Sequence, residues 1–259
     1  MPDNPTGETV ELHWVYLPAD FFEEKIVRDC ESYSIEIEGG HITARISAEF
    51  FDTHLDLPSL LRRDLNSYFL GAQLIRRKVF EIDDGAVDRL WPDGRKNTTL
   101  AVQCAHQLML SDQVDLVQLA SKGAVVGDTR RDRIEATKNL AQLSVLHASD
   151  PTAHRMLESH AASIATLGEE LVYLYEIWDA LKANFQRREN ARSVLNISPE
   201  TLTRFDDLTC NLPLRQGRHR GRFDTLRDAT AGELDEARRI AQDMMERYWR
   251  YLDDPQKAK

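Results

Sequence analysis

The sequence predicts an α+β protein: an N-terminal antiparallel β-sheet with one helix, followed by an α-helical bundle. Three observations predict it. Runs of β-branched and aromatic residues that alternate with polar ones fall in roughly the first hundred residues. Beyond about Ser111 the alternation gives way to apolar residues at three- and four-residue steps. Charge follows the same division: residues up to Val126 include 21 acids and 12 bases, net −9, and those from Gly127 include 22 and 21, net −1. An acidic α+β domain over 1–110 and a helical-bundle domain over 111–259 follow, with the change of character between residues 105 and 128. One continuous α+β domain would leave the same pattern.

Thr9 to Leu17 is rich in strand-forming types and opens the sheet. Tyr33–Glu38 alternates apolar and polar residues, Gly39-Gly40 supplies the positive backbone angles of a tight turn, and Ile42–Ile46 answers as the second strand of a hairpin. From Asp56 to about Arg76, Leu57, Leu60, Leu61, Leu65, Tyr68, Phe69 and Ala72 mark one face of an amphipathic helix, with Pro58 acceptable in its first turn. Three short runs, Lys78–Ile82, Ala86–Leu90 and Thr98–Cys104, read as further strands. The turn formers Asp83-Asp84-Gly85 and Pro92-Asp93-Gly94 separate them.

A short helix over 112–121 begins the second half, and Gly123 and Gly127 mark a hinge. Thr129 to Ala148 is a helix with Ile134, Leu140, Leu143 and Leu146 on its apolar side. Asp150-Pro151 supplies an N-cap and a first-turn proline to what reads as one long core helix reaching Phe185. Its stripe is Leu157, His160, Ala161, Ile164, Leu167, Leu171, Leu174, Tyr175, Trp178 and Leu181. Ser198-Pro199 opens a helix to about Cys210, and Thr230 with Glu233 forms a capping box before the last one. That last helix buries Leu234, Ala237, Ile240, Ala241, Met244, Met245, Tyr248 and Leu252. Trp249 and Tyr251 lie beside the stripe, and an exposed apolar face of this kind predicts a homodimer.

Composition narrows the function classes. The chain has 259 residues, 42% hydrophobic and 29% charged, with a net charge of −10, which opposes a surface that grips nucleic acid or anionic lipid all over. Any contact with RNA must be local, and the acidic N-terminal half offers a dock for a basic protein partner. No apolar run approaches the ~20 residues of a membrane span, and Cys30, Cys104 and Cys210 form neither a metal pair nor a closed disulfide set. No membrane, metal or cofactor is expected, and a reducing, cytoplasmic setting is. Gly123 to Gly127 has neither the Lys-Ser/Thr end of a P-loop nor dinucleotide-turn spacing. Cys104, His106, His147, His154 and His160 are scattered and read as surface or satisfied core side chains, not zinc ligands. Asp83-Asp84 is explained by its turn, and Asp112 with Asp115 by a helix N-terminus.

The informative stretch is Leu212 to Arg222, between two helices. Arg215, Arg218, Arg220, Arg222 and Arg227 are five arginines against one acid, Asp224. Several guanidinium forks with glycines between them suit a phosphate, and His219 adds a side chain that exchanges protons near neutral pH. The competing reading is a solvated connector whose arginines pair with Glu233, Asp235 and Glu236 or with the acidic half.

A core helix ending Leu171-Val-Tyr-Leu-Tyr-Glu-Ile-Trp178, a short helix finishing near Asn211, the Arg/His loop and a closing helix together resemble the C-terminal part of HEPN-like proteins. The resemblance covers about residues 129–253 and none of the β part. It implies a helical, commonly dimeric fold and metal-independent RNA cleavage or RNA binding, as in bacterial RNA-processing or defence systems. It also implies roles: Arg215 and His219 catalytic, and Arg218, Arg220, Arg222 and Asn211 at the phosphate. The family places four to six residues between its arginine and histidine; here three separate Arg215 from His219, and the last helix starts about eleven residues later. A relative that only binds RNA, or a non-catalytic interaction protein, would carry the same helices. An asparagine just after a helix, as Asn211 is, more often serves as its C-cap.

Overall fold

The computed structural model describes residues 7–100, 115, 117–119 and 125–254. An antiparallel N-terminal sheet precedes a helical region, as the α+β pattern requires. The chain divides into two compact units, residues 1–66 with 80–136 and residues 67–79 with 137–259.

The first unit contains β1 (Thr9–Leu17), β2 (Ile26–Asp29), β3 (Tyr33–Glu38), β4 (His41–Ser47), α1 (Ala48–Thr53) and the first half of α2 (Leu57–Arg76). It continues with β5 (Glu81–Ile82), β6 (Ala86–Leu90), β7 (Lys96–Leu100), β8 (Val117–Leu119), β9 (Val125–Asp128) and the start of α3 (Thr129–Leu146). Seven strands make one sheet in the order β2-β3-β4-β1-β6-β7, with β5 on the end of β1. Val10, Leu12, Trp14 and Tyr16 of β1 are all buried, so the period-two pattern turns one face inward. Register sets Leu12 opposite Ala44 on β4 and Val87 on β6. Gly39 and Gly40 take φ of 56° and 88° in the turn between β3 and β4.

The other face of the sheet carries a ladder of charges. Buried Asp88 accepts from the Thr98 hydroxyl at 2.6 Å and pairs with Lys96 at 2.7 Å and His13 at 3.1 Å. Strands β2 and helix α1 have no signal of their own in the sequence: β2 is held by pairing with β3, and Ser47 caps α1 by accepting from the Phe50 amide at 3.3 Å. The run Lys78–Ile82 supplies only the two residues of β5. The helix expected over 112–121 is corrected: Val117–Leu119 pairs with Val125–Asp128 as antiparallel strands, and Gly127 stands opposite Gln118 within them. Valines at both strands favour the extended chain. Gly123, Asp112, Cys104 and His106 lie outside the described residues.

The second unit adds the remainder of α2 and α3 to α4 (Pro151–Ala165), α5 (Glu170–Asn184), α6 (Arg188–Val194), α7 (Pro199–Asp206) and α8 (Ala231–Leu252). The single helix expected from Pro151 to Phe185 is two. Thr166 leaves helical geometry at φ −125°, ψ 73°, a 3₁₀ turn follows over Leu167–Glu169, and Leu167 is 67% exposed instead of on the stripe. Gly168 weakens the helix there, while Glu169 and Glu170 suit a new N-terminus. Helices α4 and α5 pack on each other and on α8. Met156, Leu157, Leu171, Leu174, Ile177, Trp178 and Leu181 meet Ala237, Ala241, Met244, Met245 and Tyr248 in a fully buried core. Of the two residues expected on an exposed pairing face, Trp249 is 0% exposed and inside the unit, and Tyr251 is half-buried against Phe185 and Tyr248. His160 is buried as expected but not satisfied: its Nδ1 has no hydrogen-bond partner.

Candidate nucleic-acid interface

The arginine loop hangs from the end of α7. Ser198 accepts from the Thr201 amide at 3.1 Å and starts that helix, which passes at its C-terminal end into a π turn over Asp207–Asn211. The wider turn directs the Thr209 carbonyl at the Arg218 amide, 2.7 Å away. Buried Leu214 plugs the loop into the unit. Its base is closed by Arg215 N–H to the Arg227 carbonyl at 3.0 Å and Arg227 N–H to the Pro213 carbonyl at 2.9 Å. A 3₁₀ turn over Arg220–Arg222 completes it.

Most of the arginines are engaged. Arg218 pairs with Asp179 of α5 at 2.6 Å and lies over the Tyr175 ring at 4.8 Å. Lys182 sits over the same ring at 4.9 Å and pairs with the same carboxylate. Arg188 of α6 pairs with Asp206 at 2.6 Å. Arg220 reaches Glu169 at 3.1 Å and the Gly217 carbonyl at 3.0 Å. Arg227 grips Glu233 with both terminal nitrogens. Arg215, 63% exposed, has only a 3.6 Å contact with Asp228. Arg222 is exposed, with no carboxylate in ion-pair reach among the described residues. The half-buried His219 precedes the 3₁₀ turn, and among the described residues no hydrogen bond engages its imidazole or joins it to Arg215. Asn211 donates its side-chain amide to Asp207 at 3.1 Å, the next acid back along the π turn.

The electrostatics divide the loop in two. Hydrogen bonding to Asp179 holds the Arg218 guanidinium above its ordinary range, and Glu233 does the same for Arg227. In return Arg227, with the Thr230 amide and hydroxyl, brings the Glu233 carboxyl down to about 2. Those arginines fasten the loop. Arg222 faces solvent and His219 stands half-open, and Arg215 is held only by its 3.6 Å contact with Asp228. Burial pushes the Cys210 thiol up, which keeps it protonated and a poor nucleophile. Among the described residues no hydrogen bond orients the His219 imidazole, which Arg218 and Arg220 adjoin in the chain.

Tyr175, Asp179 and Lys182 belong to this surface, although of the three only Tyr175 is singled out by the sequence pattern, as a core residue. Their spacing of four and then three puts all three on one side of α5, which is the signal that marks them. Asp83, singled out in its turn, accepts from the Val15 amide at 2.9 Å. His147 pairs with Asp253 and His154 with Glu158, and among the described residues no three His, Cys, Asp or Glu side chains are grouped to hold a metal. Among the described residues, no helix is long and apolar enough to cross a membrane. Comparison with known proteins finds no matching family model, no similar curated protein and no similar solved structure.

Proposed function

We propose that the helical unit binds the phosphate backbone of single-stranded RNA through Arg215, His219 and Arg222, and that it does so without cutting the strand. The observation that carries this reading is the state of Arg222: exposed, uncompensated, and presented by a loop that three ion pairs from Arg218, Arg220 and Arg227 fasten in place. A fixed loop spares the ordering cost that a free arginine would meet on binding. The Tyr175 ring, covered by Arg218 and Lys182 and stacked on Phe205, anchors the base of this positive surface. The likeness to HEPN-like proteins points to the same ligand. The reading belongs to the cytoplasm, where Cys30 and Cys210 would stay the free thiols they are.

The test is fluorescence anisotropy with a labelled RNA oligonucleotide across a salt series. Arg215→Ala with Arg222→Ala should weaken binding and make the dependence of log K on log salt shallower by about 1.4, since each phosphate contact to a single strand contributes about 0.7. The RNA should remain intact on a denaturing gel. Unchanged affinity in the double variant would pass the function to the alternative of an acidic half that docks a basic protein. Cleavage by the wild type and not by His219→Ala would restore the ribonuclease.

A further inference from the structure

A second site lies in the first unit and is independent of the arginine loop. A hollow of about 410 Å³ opens between the start of α2 and the inner face of the sheet. Its floor follows from register: Leu12 stands opposite Val87, and Val87 opposite Thr99, so neighbouring strands β1, β6 and β7 present these side chains on one face. Trp14 extends the floor along β1, and Pro58, Ser59 and Arg62 from α2 form the wall. The rim is Asp84-Gly85. Gly85 has φ 82°, and a Cβ there would lie 2.6 Å from the Trp14 indole, so only glycine lets the rim close on that ring.

The wall holds a cation with unmet bonding capacity. One Arg62 terminal nitrogen donates to the Ile82 carbonyl, and the other, Nη1, is buried without any hydrogen-bond partner. Among the described residues no carboxylate stands within ion-pair distance: Asp83 is turned to the Val15 amide, and Asp84 is exposed at the rim. Burial pulls the Arg62 pKa down, although both aspartates oppose it. An unpaired guanidinium group at the edge of an apolar hollow is the arrangement that a carboxylate completes, by a fork-to-fork pair reached through a small turn of the terminal side chain. The volume falls within the range of small-molecule pockets, and the mix of apolar floor and one convergent charge is theirs too.

We propose that this hollow binds a small organic carboxylate with an aromatic or branched apolar body, the carboxylate on Arg62 and the body on Trp14, Leu12 and Val87. Phenylacetate and its uncharged analogue phenylacetamide serve as probes. The readout is the indole N–H resonance of Trp14, assigned by its loss in Trp14→Phe, in a chain with four tryptophans. Phenylacetate should shift that resonance and leave those of the buried Trp178 and Trp249 in place. It should bind at least about tenfold tighter than the amide, as expected when a charged hydrogen bond replaces a neutral one. Arg62→Met should abolish the preference. No Trp14 shift at millimolar phenylacetate, equal binding of acid and amide by the wild type, or a preference that survives in Arg62→Met would each overturn the site. The comparison of the two probes on the wild type stands even if the variant fails to fold.

Discussion

His160 shows what a single side chain does to the pH response. Burial, with Arg77 and Arg238 adding positive charge nearby, lowers its pKa to about 3. An unfolded histidine titrates near 6.5, so between these values the unfolded chain binds a proton that the folded one refuses. The contribution of neutral His160 is therefore complete above about pH 6.5 and is lost as pH falls toward 3. Urea unfolding at pH 7 and pH 5 should show a loss of about 2 kcal/mol in the wild type and much less in His160→Leu; identical losses would refute the assignment. Glu233 acts in a lower window. Its carboxyl is depressed to about 2, so its stabilisation is present above about pH 4.5 and fades between there and 2. Thr230 accepts from the Glu233 amide at 3.2 Å while Glu233 accepts from the Thr230 amide at 2.8 Å, and Thr230→Ala should cost about 1 kcal/mol in the same assay at neutral pH. A cost near zero would mean that the Arg227 pair alone holds the helix end. This capping box was legible from three residues of sequence because its partners are local. The fate of Arg218 was not, since its acid, Asp179, stands on another helix.

At the scale of elements, the meeting of α2 and α3 in the second unit turns on Gly71. A Cβ there would lie 2.6 Å from the Leu140 carbonyl oxygen and 2.3 Å from the Ser144 hydroxyl. Neither can yield easily: the first is backbone, and Ser144 donates to the Ser67 carbonyl at 2.6 Å. Gly71→Ala raises helix propensity by about 1 kcal/mol, whereas overpacking of this kind costs about 1–3 kcal/mol. The variant should therefore be less stable by chemical denaturation, and a rise in stability would show that the helices separate at little cost. Periodicity found α2 and α8 because each keeps one apolar stripe along its length, whereas α3 buries Thr137, Leu140, Ala141 and Ser144 and leaves Leu146, expected on its stripe, 66% exposed. Periodicity joined α4 to α5 because Leu157, Leu171 and Leu174 continue in register across Thr166–Gly168, and only the local weakness of Gly168 marks the corner. Short elements such as β2 and β8 were hidden for a different reason: cross-strand hydrogen bonds, absent from any local window, hold them.

At the scale of the whole molecule, the shift in charge and pattern between residues 105 and 128 describes composition, but the compact units are not contiguous in the chain. The second takes Ser67–Val79 from the first third of the sequence. That segment brings buried Tyr68, Phe69, Ala72 and Leu74, the carbonyl that receives the Ser144 hydroxyl, and Arg77, which pairs with Asp235 at 2.9 Å. Loss of a large buried side chain costs about 2–5 kcal/mol, and a whole domain is stable by only about 5–15 kcal/mol. Three such side chains missing at once consume most of that margin. A fragment 111–259 should therefore lack cooperative unfolding when followed by circular dichroism, and a fragment 137–259 likewise. Adding a peptide of residues 57–79 in trans should restore a sigmoidal transition and dispersed methyl resonances. Peptide carrying Phe69→Ala should do so poorly, because the ring it removes is completely buried. Cooperative unfolding of 111–259 by itself, at the midpoint of the full chain, would show instead that the helical half is closed without the borrowed segment.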